Sequence, residues 1–423
     1  MPRGKLRPGV VLGESASSLG QRGRVPAILL ASLAVTGIGQ TLLYALLPMA
    51  SRQLNLSGFQ SSAVFALSAL LWSLSSPFWG RISDRSRGAA VLALGMSGQA
   101  LSNLAVGATI YFAQRGLLPH GAVFPLLLVL RGINGVLGSA VLPSAQGLAL
   151  RSAPGRPRIA IVGTVASSWS IGTMAGPGFT AVLAPVGLAA PLFAAAALST
   201  LAGLVLLLRR AGSGPAVASS AARPHALRFI RRRIWPLMIM SLGVGTANAI
   251  VAQSTGFFVQ DRLGLTAHGA VAVAGAALSL AAACSVAMQI IAIRLRPAAT
   301  SLIVAGAALL ALATLAVVLM PAAALLVPAI GIAGAGIGAA ALGISTSASL
   351  MTRPDQQGGV AGSLASASSL GAIVSALAVM PFYESLPDLP YLAAGALAVG
   401  VSFGGILVRR SAVARRSKAS ASF

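Results

Sequence analysis

Twelve long apolar stretches follow one another between residues 25 and 408, separated by short polar or glycine-rich segments. Each stretch is long enough to cross about 30 Å of hydrocarbon as an α-helix. Strands that cross a membrane would instead need runs of about ten residues in which apolar and polar side chains alternate. The pattern therefore predicts an all-α membrane protein with twelve transmembrane helices.

Basic residues lie almost entirely in every second connection between the stretches. If both termini are cytoplasmic, the cytoplasmic segments hold 26 of the 30 arginines and lysines, and the outer loops hold only Arg52, Arg115 and Arg262. Cytoplasmic loops of membrane proteins carry such an excess. We therefore expect a multi-pass protein of the bacterial cytoplasmic (inner) membrane, with both termini in the cytoplasm.

The two halves of the chain resemble each other. Residues 163–172 match residues 362–371, and residues 134–138 match residues 334–338, which indicates duplication of a six-helix unit. An even number of helices gives both halves the same orientation, so the axis that relates them runs along the membrane normal. We predict a cytoplasmic N-tail, a first half, a cytoplasmic linker, a second half and a cytoplasmic C-tail at residues 1–24, 25–208, 209–233, 234–408 and 409–423.

The composition fits a chain whose solvent is largely lipid. Hydrophobic residues make up 56% of it and charged residues 9%, whereas soluble proteins carry about 25% charged residues. The net charge of +24 follows the loops, so we expect no nucleic-acid partner. One cysteine, three scattered histidines and the lack of a Gly-x4-Gly-Lys loop predict no metal site, no cofactor and no enzymatic activity.

A loop rich in charge follows the second stretch. Gly80 permits two helices to approach closely at the membrane surface. Asp84, one of only six acidic residues in the chain, can pair with Arg85 or Arg87, or cap a helix N-terminus. The corresponding loop of the second half has no aspartate.

Arg131 lies inside the fourth stretch, three residues before Asn134. An arginine in hydrocarbon is unfavourable by several kcal/mol, so its side chain should face a partner or a cavity. The alternative is a side chain that extends to the outer surface. The equivalent position of the second half is Gly331, so this charge is not duplicated.

The fifth stretch carries a string of small residues, Gly163, Gly172 and Gly176, followed by Pro177. Small residues at such intervals let membrane helices pack closely, and a proline kinks the helix that contains it. The whole string is far more specific than a single Gly-Pro pair.

Together these three groups resemble the signature motifs of the major facilitator superfamily. The string in the fifth stretch resembles the antiporter motif of the twelve-span drug:proton antiporter branch, although Thr180 and Ala181 replace its trailing glycine pair. The resemblance covers the whole chain. It implies two pseudo-symmetric six-helix halves that rock around a central site.

The same resemblance implies roles for individual residues. The loop residues Gly80, Asp84, Arg85 and Arg87 would latch the halves together on the cytoplasmic side. The order of Arg87 and Gly88 is the reverse of the usual family order, which leaves the detailed geometry of the latch open. Arg131 and Asn134 would couple transport to protons or to substrate.

Polar residues inside the stretches predict the lining of a cavity. Ser32, Thr36, Gln40 and Tyr44 recur every four residues along the first stretch, and the superfamily uses its first, fourth, seventh and tenth helices to line the pathway. Taken singly, each is better explained by helix packing than by contact with a ligand. Taken as a set, the predicted cavity residues are Thr36, Gln40, Tyr44, Trp169, Asn248 and Gln253.

The resemblance implies a monomeric secondary transporter that exports a small organic molecule, a drug or a metabolite, by alternating access and proton antiport. All six acidic residues map to tails, loops or helix ends, so a carboxylate proton carrier inside the hydrocarbon is missing. Three interpretations stay open. Asp84 or Glu384 exchanges protons, the substrate carries the coupled charge opposite Arg131, or the protein is an uncoupled facilitator.

The charge in the spans also bears on the cargo. A cavity whose only fixed charge is positive favours anionic or neutral molecules, such as a siderophore-like product or a weakly acidic drug, over cations. The expected partners are this substrate, the lipid bilayer and protons. An uptake carrier on the same fold and a receptor that does not transport are the other function classes.

Overall fold

The computed structural model describes residues 25–85, 88–153, 158–208, 224–295, 297–319, 323–352 and 357–420. Within these ranges all regular structure is helical. The helices are α1 Ala27–Gln53, α2 Gly58–Arg85, α3 Gly88–Gln114, α4 His120–Ser152, α5 Arg158–Leu183, α6 Ala190–Leu208, α7 Pro224–Leu263, α8 Ala267–Leu295, α9 Ala299–Leu319, α10 Ala323–Leu350, α11 Gln357–Val374 and α12 Leu389–Ser420.

Two of the helices are interrupted by wider or tighter turns. Helix α4 contains a π turn at Asn134–Gly138, and α11 continues through a π turn at Ser375–Val379 and a 3₁₀ turn at Met380–Phe382. Eleven helices of the described ranges are long and apolar enough to cross a membrane. The twelfth, α5, has 26 residues, which is ample length, but its described part is rich in glycine, serine and threonine. The predicted twelve-helix architecture is confirmed.

Two helices extend beyond the predicted limits of the halves. Helix α7 begins at Pro224, inside the segment predicted as a linker, and α12 runs to Ser420. Hydropathy marks only the apolar part of a helix, whereas arginine and alanine continue a helix readily beyond the hydrocarbon. The predicted N-tail and the first part of the linker, residues 209–223, lie outside the described residues.

The helices of the two halves pack in the same pattern. In each half the first helix packs on the fifth, the third packs on the sixth, and the fourth contacts the second and third. The halves meet chiefly where α5 packs on α8, α2 on α11 and α1 on α7. These contacts confirm the six-helix repeat at the level of packing.

The apolar core joins the halves at one end of the bundle only. The end that holds the connections from α1 to α2 and from α7 to α8 is named the outer end here, following the orientation that the basic residues predict. There one buried cluster includes Leu46 of α1, Phe258 of α7 and Leu326 of α10. Toward the opposite, inner end, one cluster is built from the first half alone and another from the second half alone. The bundle is thus sealed at the outer end and divided at the inner end.

The outside of the bundle is also apolar. Leu74, Val129, Val182, Leu312 and Phe403 are between 61% and 76% exposed. A soluble protein would not leave so many large apolar side chains in water. These side chains form the surface that lipid covers.

Candidate functional site, a central cavity between the halves

A cavity of about 360 Å³ lies between the two halves at the middle of the bundle. Helices α1, α2, α4 and α5 of the first half form one wall, and α7 and α11 of the second half form the other. Its lining includes Gln40, Thr41, Tyr44, Phe65, Ser68, Trp72, Arg131, Trp169, Thr173, Asn248, Ser368 and Ser369. No carboxylate belongs to this lining among the described residues.

Arg131 carries the only charge in the lining. Its side chain is 2% exposed, and its Nη2 donates to Gln40 Oε1 at 3.4 Å. Its Nε and Nη1 have no hydrogen-bond partner in the described structure, and none of the described carboxylates forms an ion pair with it. A buried guanidinium without a counter-charge is unfavourable, so this group is suited to receive an anion. The side chain does not extend to the outer surface.

A π turn begins three residues after Arg131. Asn134, the first residue of that turn, is buried and donates from Nδ2 to Gln40 Oε1 at 3.2 Å. Gln40 therefore accepts from both predicted coupling residues and holds them in one group. π turns are frequent at functional sites because they shift the side chains that follow them around the helix.

The first helix supplies only part of the predicted polar face. Gln40 and Tyr44 line the cavity, but Thr36 is fully buried, donates to Ser32 O at 2.8 Å and contacts Met96 of α3. Thr36 therefore does not line the cavity, in contrast to the prediction. A step of four residues turns an α-helix by about 40° beyond a full circle, so residues spaced by four drift around its surface.

The other predicted residues divide in the same way. Trp169 and Asn248 line the cavity. Gln253 is 1% exposed and accepts from Ser375 Oγ at 3.2 Å, so it joins α7 to the π turn after α11 and does not line the cavity. Sequence reasoning missed Trp72 and Ser368. The internal repeat could have identified Ser368, because it occupies the position equivalent to Trp169.

The glycine string of α5 forms the contact with α1. A Cβ atom at Gly172 would collide with the backbone of Ala34, and one at Gly176 would collide with Thr41. Thr41 Oγ1 donates to Thr173 O at 2.9 Å across this contact. The backbone carbonyl of Pro177 lies against Gly275 of α8 in the second half, where a Cβ on that glycine would collide with it. Gly163 lies in α5 near its start.

The predicted cytoplasmic latch lies mostly outside the described residues. Arg87 is outside the described ranges, and the side chains of Asp84 and Arg85 are not described. Gly80 lies close to Pro143 of α4, at 3.7 Å for a Cβ placed on the glycine. The latch role of these residues stays a prediction.

Polar contacts close the outer end above the cavity. Arg52 of α1 pairs with Asp261 of α7 at 2.6 Å and lies over the ring of Phe257. Tyr383 donates to the same Asp261 at 2.8 Å. Burial first, and then the nearby carboxylate, raise the pKa of Tyr383, so its hydroxyl stays protonated as a donor. Glu384 accepts from the backbone N–H of Gly58 at 3.0 Å.

The described part of the chain offers functional groups for binding a molecule and no cluster that could hold a metal ion. No group of three or more histidine, cysteine, aspartate or glutamate side chains is arranged there to hold a metal ion. The cavity offers one cation, amide and hydroxyl groups, and aromatic rings. Such a lining can bind an organic molecule and expose it to either side as the halves move.

Solved structures of similar shape are transporters. A bacterial homologue of the human lysosomal transporter Spinster, in an inward-facing and occupied conformation, has a TM-score of 0.73 at 14% identity, covering 94% of this chain and 98% of that one. A D323A mutant of the nucleoside transporter NupG has a TM-score of 0.68 at 14% identity, covering 90% and 99%. At such identity these likenesses establish the fold alone.

Relatives in sequence carry names of resistance proteins. The multidrug resistance protein MdtG of Enterobacter lignolyticus is 28% identical over 245 residues, which is 55% of each chain. Multidrug resistance protein 2 of Bacillus subtilis is 24% identical over 229 residues, which is 53% of this chain and 54% of that one. The MdtG of Proteus mirabilis is 28% identical over 38% of each chain. The chain therefore matches only about four-tenths to half of the length of these relatives.

The family itself follows from a match over most of the chain. Residues 29–376 match the profile described as Major Facilitator Superfamily. This range begins in α1 and ends in the π turn that follows α11, so it includes the first half, all of the second half except α12 and its preceding connection, and every residue named in the lining of the central cavity. The chain is a multi-pass membrane protein and belongs to the Major Facilitator Superfamily of transporters.

Proposed function

We propose that this transporter exports a small organic anion across the bacterial cytoplasmic membrane by alternating access. The observation that carries the proposal is Arg131, a buried guanidinium at the central cavity whose Nε and Nη1 have no hydrogen-bond partner in the described structure. The cavity lining contains no described carboxylate that would attract a cation. An anionic substrate supplies the missing counter-charge and is favoured for that reason.

The alternating-access part of the proposal is supported by the shape of the bundle. A shared core and the pair of Arg52 with Asp261 join the halves at the outer end, while separate cores divide them at the inner end. This is the arrangement expected of an inward-facing state with both termini cytoplasmic. Opening outward requires the outer contacts to break and the inner ends to close, as the predicted latch around Asp84 would do.

Export is the direction favoured by two likenesses in the sequence. The glycine string of α5 resembles the antiporter motif, and relatives from three bacteria are named multidrug resistance proteins. Proton antiport belongs to the same proposal. An uncoupled facilitator is the second candidate, because the described cavity lining offers no carboxylate to carry the proton. For an anion, a membrane potential that is negative inside already drives exit, by about 2.3 kcal/mol per charge at 100 mV.

Proteoliposomes that contain a pH-sensitive dye test the proposal. Substrate flux and proton movement would be followed together for anionic, neutral and cationic compounds, using the wild type and Arg131→Ala. Anion flux accompanied by opposite proton movement, both lost in the variant, is the expected result. Anion flux without proton movement would identify a facilitator. Flux of cations alone would contradict the anion proposal.

A further inference from the structure

We propose that the substrate is a planar aromatic monoanion, with its carboxylate at Arg131 and its ring against the indoles of Trp72 and Trp169. This inference rests on the proposed function and narrows it to one chemical class. It is supported by three features of the central cavity: the number of charges, the position of the aromatic rings and the small size of the facing wall.

The single positive charge of the lining is suited to a substrate with one negative group. Arg131 is the only charged residue of the lining, and Gln40 occupies just its Nη2. The unpaired Nε and Nη1 lie on different edges of the guanidinium, and a carboxylate in a bidentate contact would take one of them together with the second N–H of Nη2. A dianion would leave one charge uncompensated in a site without a second cation. The site therefore fits one carboxylate.

The aromatic residues of the lining all come from the first half. Trp72 and Trp169 contact each other with ring centroids 5.9 Å apart, and Tyr44 stacks on Phe65 at 4.8 Å. All four line the same cavity as Arg131. Aromatic pairs gain roughly 0.5–1.5 kcal/mol beyond the area that they bury, so this wall favours a flat aromatic ring over a saturated one.

The facing wall, from the second half, is built of small residues. It consists of Gly245, Asn248, Ala249, Ser368, Ser369 and Ala372. Ser368 occupies the position equivalent to Trp169, so one wall projects an indole where the other leaves space. A ring can lie against the indoles within that space. The cavity volume of about 360 Å³ is at the small end of sites for organic ligands, which suits one to three fused rings.

Equilibrium binding to the purified full-length chain tests this class without requiring transport. The probe is radiolabelled 1-naphthoate, with three competitors of similar size: 1-naphthamide, decahydronaphthalene-1-carboxylate and 1-naphthylmethylammonium. We expect 1-naphthoate to bind at least about tenfold more tightly than the amide, since hydrogen bonds to a charged group are the stronger ones. We expect a preference of about 3- to 10-fold over the saturated acid.

Substitutions separate the two parts of the site. Arg131→Gln should abolish the preference for 1-naphthoate over the amide and keep the preference for 1-naphthoate over the saturated acid. The preference that is kept also shows that the variant folds. Trp169→Leu should lose the aromatic preference, and Trp169→Phe should retain most of it. Trp235→Leu is the matched control, because Trp235 lies outside the cavity lining and is 57% exposed; its binding should equal that of the wild type.

The outcomes also distinguish this inference from the proposed function. Equal binding of the aromatic and saturated acids, or identical behaviour of Trp169→Leu and Trp235→Leu, would overturn the inference. It would also be overturned if proteoliposomes export another anion while 1-naphthoate does not bind. Binding with the expected preferences but no flux of any compound would sustain the inference and contradict the proposed function.

Discussion

The two halves of this transporter share their packing but not their chemistry. Where α1 meets α5, a Cβ at Gly172 would collide with the backbone of Ala34. Where α7 meets α11, a Cβ at the equivalent Gly371 would collide with the backbone around Thr246. Both contacts depend on the same absence of a side chain. The duplicated unit has therefore kept its closest helix contacts.

The cavity positions have diverged instead. Arg131 of α4 faces the cavity, whereas its equivalent in α10, Gly331, packs against Leu280 and Cys284. Helix α4 has a π turn behind its arginine, whereas α10 is regular throughout its described residues. Helix packing leaves little freedom at a contact between backbones, but a side chain that faces a cavity can change without disturbing the fold. The charge and the aromatic rings of the described cavity lining therefore come from the first half.

Replacing the equivalent glycines Gly172 and Gly371 by alanine should have the largest effect on stability, and the effect should be the same in both halves. Gly172→Ala and Gly371→Ala each place a methyl group into a neighbouring backbone, so we expect each to lower the free energy of unfolding by about 1–3 kcal/mol. Thermal unfolding of the purified protein measures this. Gly400→Ala is the control, since no atom lies within 4 Å of a Cβ at that position. Tolerance of one substitution but not the other would refute the shared packing.

The amides on α1 and α7 offer a test of the chemical difference. Gly37 of α1 lies against the backbone of Trp169, and Gly245 of α7 lies against the backbone of the equivalent Ser368. Gln40 and Asn248 each follow one of these glycines by three residues and therefore occupy equivalent positions. The Gln40 side chain accepts from Arg131 and Asn134, whereas the Asn248 side chain makes no hydrogen bond within the described structure. We expect Gln40→Ala to slow transport about tenfold, because Arg131 and Asn134 lose a shared acceptor, and Asn248→Ala less than about threefold, because Asn248 holds no other cavity residue in place. Initial rates in proteoliposomes decide this, and equal losses would show that both halves recognise the substrate.

Removing an ion pair at the outer end should have the smallest effect, measured as how easily the outer end opens. Arg52 with Asp261 joins the halves, whereas Arg262 with Asp388 lies within the second half. Such partly exposed pairs contribute about 0–1 kcal/mol. We therefore expect Arg52→Ala to raise the maleimide reactivity of a Ser51→Cys reporter by no more than about fivefold, in a Cys284→Ser background. Ser51 is suited to this because it is fully buried at the outer end.

The second ion pair provides the control for this measurement. Asp388→Ala should leave the reactivity of the reporter unchanged, because that pair does not join the halves. The exchange Arg52→Asp with Asp261→Arg should restore the low reactivity. A rise of the same size in Asp388→Ala would mean that the reporter responds to local loosening and not to separation of the halves.

The fold and the charged part of the site could be predicted from the sequence, but the shape of the cavity could not. Hydrophobic length and the internal repeat determine twelve helices in two halves, and an arginine in hydrocarbon must face a cavity or a partner. Thr36 was predicted wrongly because a spacing of four residues drifts around a helix. Trp72 was missed because a tryptophan in a membrane helix also suits contact with the lipid interface. Which side chains converge depends on how helices from distant parts of the chain pack, and single-helix patterns do not contain that information.

The central claim is that one guanidinium in the first half selects the charge of the cargo. The most direct test compares the flux of 1-naphthoate and 1-naphthylmethylammonium in proteoliposomes of the wild type, Arg131→Gln and Arg115→Gln. Arg115 stacks on Tyr111 outside the cavity and serves as the control arginine. We predict that the wild type and Arg115→Gln transport the anion at least about tenfold faster than the cation, and that Arg131→Gln loses this preference. Faster transport of the cation by the wild type, or an unchanged preference in Arg131→Gln, would contradict the claim.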